Sequence, residues 1–187
     1  ALVRPPYAKV CSSFQQQIKG GAFIPLLSPL ERKPDIDHSS FRIPIQSRIL
    51  RTIKSVFGDA LLLYSFEDSK KHPHGPVGFL LEKCSIVNHD AISFCSSNEG
   101  QGNKWVRAQN QLNSRYQDKN SFVKASRSGL PLGIGFNEDA KFLLTHDEHR
   151  KIADLIDDER SEIRAIVGDN ICLDEDIMFS HPLTDVD

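Results

Sequence analysis

Apolar side chains recur at helical spacing in two stretches of the chain. Between Ser47 and Phe57, the residues Ile49, Leu50, Ile53, Val56 and Phe57 share one face, with Ser47 placed to cap the start and Gly58 to supply a left-handed stop. The other face carries Arg48, Arg51 and Lys54 and reads as a solvated basic face, since the polar side of an amphipathic helix is ordinarily charged. Further on, Thr145-His146-Asp147-Glu148 has the form of a capping box: the threonine oxygen can accept the N3 amide while the glutamate reaches back to the cap amide. The helix it opens is expected to continue through Ile152, Leu155, Ile156, Ile163, Ile166 and Val167 to a stop at Gly168. Another helix is expected from Lys104, with Trp105, Ala108, Leu112 and Tyr116 on one stripe and Trp105 as its core anchor.

Three runs rich in aliphatic and aromatic residues and bounded by turn formers predict strands over 60–66, 77–87 and 91–95. Residues 67–76 hold two lysines, two histidines, two prolines and a glycine and predict an exposed hairpin loop, and Asn88-His89-Asp90 is short enough for a second hairpin. Over 122–142 the glycine-spaced Leu130-Pro131-Leu132-Gly133-Ile134-Gly135-Phe136 suggests a loop or short strand. The fold class expected is α+β: a small, mainly antiparallel sheet packed by two or three helices, with irregular apolar arms at both ends. The first arm, 1–42, contains Pro5, Pro6, Pro25, Pro29 and Pro34, with room for a short helix over 11–19 ended by Gly20-Gly21. Its Phe23, Ile24, Leu26, Leu27 and Leu30 are too apolar for a solvated tail. The single core is expected over 43–168. An acidic tail, 169–187, follows it with Ile171, Leu173, Ile177, Met178 and Phe179 interspersed.

Composition narrows the class. With 187 residues, 39% hydrophobic and 26% charged, the chain can bury a core without disulfides and lies far from the disordered pattern. Runs such as Ala60 to Tyr64 are far shorter than the roughly 20 apolar residues of a membrane helix. The 23 basic and 25 acidic residues nearly cancel, so a whole-molecule field for non-specific nucleic-acid or phospholipid binding is missing and only a local basic patch would serve. Cys11, Cys84, Cys95 and Cys172 contain no C-x-x-C and read as reduced thiols of an intracellular compartment, with a Cys84 to Cys95 pairing across strands left open. The start at Ala1 shows no signal-peptide block and is compatible with a presequence removed on entry to an organelle.

Candidate chemistry is sparse. His146 and His149, with Asp147, Glu148, Asp154, Asp157 and Asp158 nearby, offer a weak helical metal site, but H-E-x-x-H chemistry needs the histidines four apart and these are three apart. Capping and the helix dipole account for the two acids. The expected order of helix, three strands and helix, with Asp59 opening one strand and Glu82-Lys83 inside a later one, resembles the core of restriction-type nucleases, which set an acid and a lysine two apart on one strand face. Here they are adjacent, and Cys84 stands where the lysine would be. Cys95 with His89 forms no more than a possible thiol and base pair on a hairpin, and no G-x-S-x-G, phosphate-loop or Rossmann pattern occurs, so no cofactor is indicated. Leu61-Leu62-Leu63-Tyr64, the lysine-bearing loop and Gly78 to Ile86 resemble the third and fourth strands of a pleckstrin homology domain, and Trp105 after Ser96-Ser97-Asn98-Glu99 is similar to that family's helix with its buried tryptophan. That resemblance implies a phosphoinositide or protein-docking surface. The expected function is a non-catalytic binding or accessory protein that docks a partner, or itself, through its terminal arms, with Arg48, Arg51, Lys54, Lys70 and Lys71 as candidate binding residues. The alternative is a metal-dependent hydrolase or nuclease.

Overall fold

The computed structural model describes residues 1–28, 43–86, 102–114, 140–173 and 177–180. Of these, 64% are helical and 5% extended, which overturns the expected mainly antiparallel sheet. Two compact units are present, one formed by Ala1–Ala8, Ile45–Glu99 and Leu155–Glu175, the other by Lys9–Pro44, Gly100–Asp154 and Asp176–Asp187.

In the first unit the only ladder among the described residues is parallel and two residues long: β1 (Leu2–Val3) lies beside β2 (Tyr64–Ser65), Leu2 opposite Tyr64 and Val3 opposite Ser65. Ala1 extends it, its amine donating to the Leu62 carbonyl and its own carbonyl accepting from the Tyr64 amide at 3.0 Å. Beneath the ladder Val3 joins Leu50, Ile163, Val167, Ile171 and Leu173 in one buried cluster, with Leu63 and Ile166 packed against it. Leu50 comes from α2 (Gln46–Phe57), and Ile163 and Val167 from α7 (Ala153–Val167). Ile171 and Leu173, expected in an acidic docking tail, are therefore core residues of this unit.

The expected strand over 77–87 is instead helix α4 (Gly75–Lys83), and the expected hairpin loop contains helix α3 (Phe66–Ser69), capped by the Ser65 hydroxyl. A short apolar run carries no period that separates strand from helix. What decides it is Pro76 in the first turn, where a missing amide costs nothing, followed by the helix formers Leu80, Leu81, Glu82 and Lys83. Gly78 has a packing reason: a Cβ there would stand 2.4 Å from the His74 Cβ and 2.8 Å from the His72 ring. His72 is held over it by the His74 amide, which donates to Nδ1 at 3.1 Å, and by Nε2 lying 3.1 Å from Glu82 Oε2. The second of the strands that resembled a pleckstrin homology domain, which is also the acid and lysine strand of a nuclease, is thus replaced by helix, while of the first, Leu61 to Tyr64, only Tyr64 lies in a strand, and Asp59 sits in an exposed 3-10 turn, Gly58–Ala60. The strand expected over 91–95, Cys95, His89, Tyr116 and 130–136 lie outside the described residues.

In the second unit α1 (Pro6–Lys19), which this unit enters at Lys9, buries Val10, Cys11, Phe14 and Ile18 on one stripe. It begins five residues before the helix expected over 11–19, because Pro6 occupies the first helical position, where its fixed φ suits the helix. It ends as expected at Gly20-Gly21, with Gly21 at φ 88°. Ile24, Leu26 and Leu27 are buried, the last two in a 3-10 turn, Pro25–Leu27, so these residues of the first arm are covered by the chain itself.

α5 (Asn103–Asn113) departs most from its expected packing. Its buried face is Asn103, Val106, Arg107, Gln109, Asn110 and Asn113, while Trp105, Ala108 and Leu112 are only half-buried, so Trp105 is not the anchor. A polar face can be buried where each group finds a partner. Asn110 Oδ1 accepts from the Ile24 amide at 2.7 Å and its Nδ2 donates to the Ile24 carbonyl at 3.0 Å, so one side chain stands in for a neighbouring strand. Asn113 Nδ2 donates to the carbonyls of Ile18 and Ala22 at 2.9 and 2.7 Å, and Gln109 donates to Asn113 Oδ1 at 2.8 Å.

Arg107 closes the network. Its guanidinium is bidentate on Glu148, at 2.5 and 2.8 Å, and donates further to Asn103 Oδ1, the Leu143 carbonyl and Ser180 Oγ. Glu148 belongs to α6 (His146–Arg150), whose capping box is formed as expected: Thr145 Oγ1 accepts from the Glu148 amide at 3.2 Å and Glu148 Oε2 accepts from the Thr145 amide at 2.7 Å. The helix does not run unbroken to Gly168, because a turn at Lys151 and Ile152 separates α6 from α7.

Asn110→Ala should cost about 1–3 kcal/mol, since it leaves the buried Ile24 amide without its partner, while the Ile24 carbonyl keeps the Leu27 amide. Guanidinium unfolding followed by Trp105, the sole tryptophan and a residue of this unit, reads the loss. Gly78→Ala should lower the melting temperature by displacing His72 from the first unit's α3 to α4 corner, whereas Gly58→Ala meets no neighbouring atom and is penalised only for its φ of 52°.

Candidate functional site

Helix α2 orients the surface of the first unit. No side chain at its N-cap, Ile45, bonds its free amides; Glu159 of α7 does so instead, its Oε1 accepting from the Ser47 amide at 2.7 Å. A carboxylate there complements the helix dipole. Ser47 is therefore not the cap but a fully buried first-turn residue, its hydroxyl 2.7 Å from Glu159 Oε2 and 2.8 Å from Glu162 Oε2. Its single proton serves one carboxylate at a time. Farther along, Arg51 Nη2 lies 3.1 Å from Glu162 Oε2 and Lys54 Nζ donates to the Ile166 carbonyl at 3.1 Å, in the last turn of α7 where positive charge is favoured. These pairings advance in the same direction along both helices, so α2 and α7 run parallel.

Arg51 and Lys54, on the face expected to be solvated, thus reach α7 while staying exposed, and Ile49, Val56 and Phe57 of the stripe expected to be core turn outward. Ile45, Ile49, Val56 and Phe57 are 54, 59, 71 and 59% exposed, with Ile53 half-buried between them. Leu50 alone of the expected apolar stripe is fully buried. The residues missed as functional candidates are these four. The signal that would have found them is the pairing of Ser47 and Arg51 with the acids of the last helix, Glu159 and Glu162, which gives that side of α2 a partner inside the chain.

The five basic candidates lie in this unit, three on α2 and two in the turn that follows α3. Arg51 and Lys54 are engaged as above, Lys70 pairs with Glu67, and Lys71 Nζ lies 2.6 Å from Asp68 Oδ1, leaving Arg48 exposed on α2. The Lys71 bond holds the Asp68 carboxyl below its ordinary value and Asp68 holds the lysine above its own. Such exposed pairs contribute little stability, but they leave little unpaired charge for a phosphate. Arg4 and Lys70 stack on Phe66, 4.8 and 5.6 Å from its centroid. His146 and His149, in the second unit, flank the Phe179 ring at 5.3 and 5.4 Å between centroids and so pack a side chain of the C-terminal segment. Among the described residues no three His, Cys, Asp or Glu gather as a cation site requires, and no helix is long and apolar enough to cross a membrane. Cys84 and Cys172 are exposed and Cys11 is buried.

No family model matches the chain, and no curated protein or solved structure is similar to it.

The Ser47 hydrogen bond, followed by the charge of Arg51, holds the Glu162 carboxyl below the ordinary glutamate value. A depressed folded value contributes stability above the unfolded value and loses it as pH falls through the folded one. Glu162→Gln should therefore lower the melting temperature at neutral pH, and the difference from wild type should shrink as pH drops through about 4.3 and below. A difference that does not change with pH would show that the carboxylate's charge is not what holds α2 to α7.

Proposed function

We propose that this chain is a non-catalytic docking protein whose binding surface is the outward apolar stripe of α2. The observation that carries the reading is the exposure of Ile45, Ile49, Val56 and Phe57 on one helix whose opposite side is tied to α7 by Ser47, Arg51 and Lys54. Such a helix is held rigidly and cannot roll to bury the stripe. Contiguous apolar patches beyond a few hundred Å² on a protein surface mark interaction sites. The terminal arms take a different part from the one expected of them: Ile24, Leu26, Leu27, Ile171 and Leu173 are buried within the chain, and of the described large apolar residues in the arms only Met178 and Phe179 are exposed. The arms stabilise the scaffold, and α2 presents the surface.

A photo-reactive benzoyl-phenylalanine in place of Ile49, irradiated in cells expressing the full chain, should give one discrete adduct that disappears when Val56→Glu is added. The same probe at Arg164, exposed on α7, should give none. Absence of an adduct from position 49, or equal adducts from both positions, would contradict the reading.

A further inference from the structure

We draw no further inference here: the strongest candidate, the outward apolar face of α2, belongs to the docking surface already described, and nothing in the structure shows what covers it.

Discussion

A buried arginine and glutamate pair is the interaction on which the second unit depends. Arg107 and Glu148 have side chains only 7 and 10% exposed, so each charge has been withdrawn from water and must be answered inside the protein. The answer is geometric. The planar guanidinium meets both carboxylate oxygens at once, and its remaining donors reach Asn103, Leu143 and Ser180. The same carboxylate takes the Thr145 amide, so the cap of α6 and the ion pair are one structure. Ser180 also returns its hydroxyl and its amide to the carbonyls of Leu143 and Leu144, which fixes the C-terminal segment to the same point.

This pair explains why α5 turns its polar side inward. Once Arg107 faces Glu148, the same helix turns Asn103 onto the guanidinium and Asn110 and Asn113 onto backbone groups of 18–24. The first unit follows a related rule on a smaller scale. There Ser47 and Arg51 of α2 are bound by Glu159 and Glu162, and most of the apolar side is left exposed. In both units polar contacts within the chain decide which helix face points in.

What could be read from the sequence were the features encoded within a few residues. The Thr145 to Glu148 box, the α2 boundary at Gly58 and the stop at Gly20-Gly21 are local chemistry and appear as expected. The facing of α2 and α5 was not legible, because apolar spacing alone marks the other face as buried and the deciding partners lie 112 and 41 residues away in sequence. Nor was α4, whose Pro76-Val77-Gly78-Phe79-Leu80-Leu81 fits a strand equally well until Pro76 is read as a first-turn residue. The candidate basic residues were visible as charges, but their engagement by Glu67, Asp68 and Glu162 depends on how the helices come together.

The central claim, that the Arg107 and Glu148 pair organises the second unit, is tested most directly by a double-mutant cycle with Arg107→Met and Glu148→Leu, using equilibrium unfolding followed by Trp105. Each single substitution should cost about 3–5 kcal/mol by stranding a buried charge, and the double variant should lose clearly less than their sum because it strands none. Additive losses, or single losses under about 1 kcal/mol, would show that the pair is incidental and that the fold of this unit rests elsewhere.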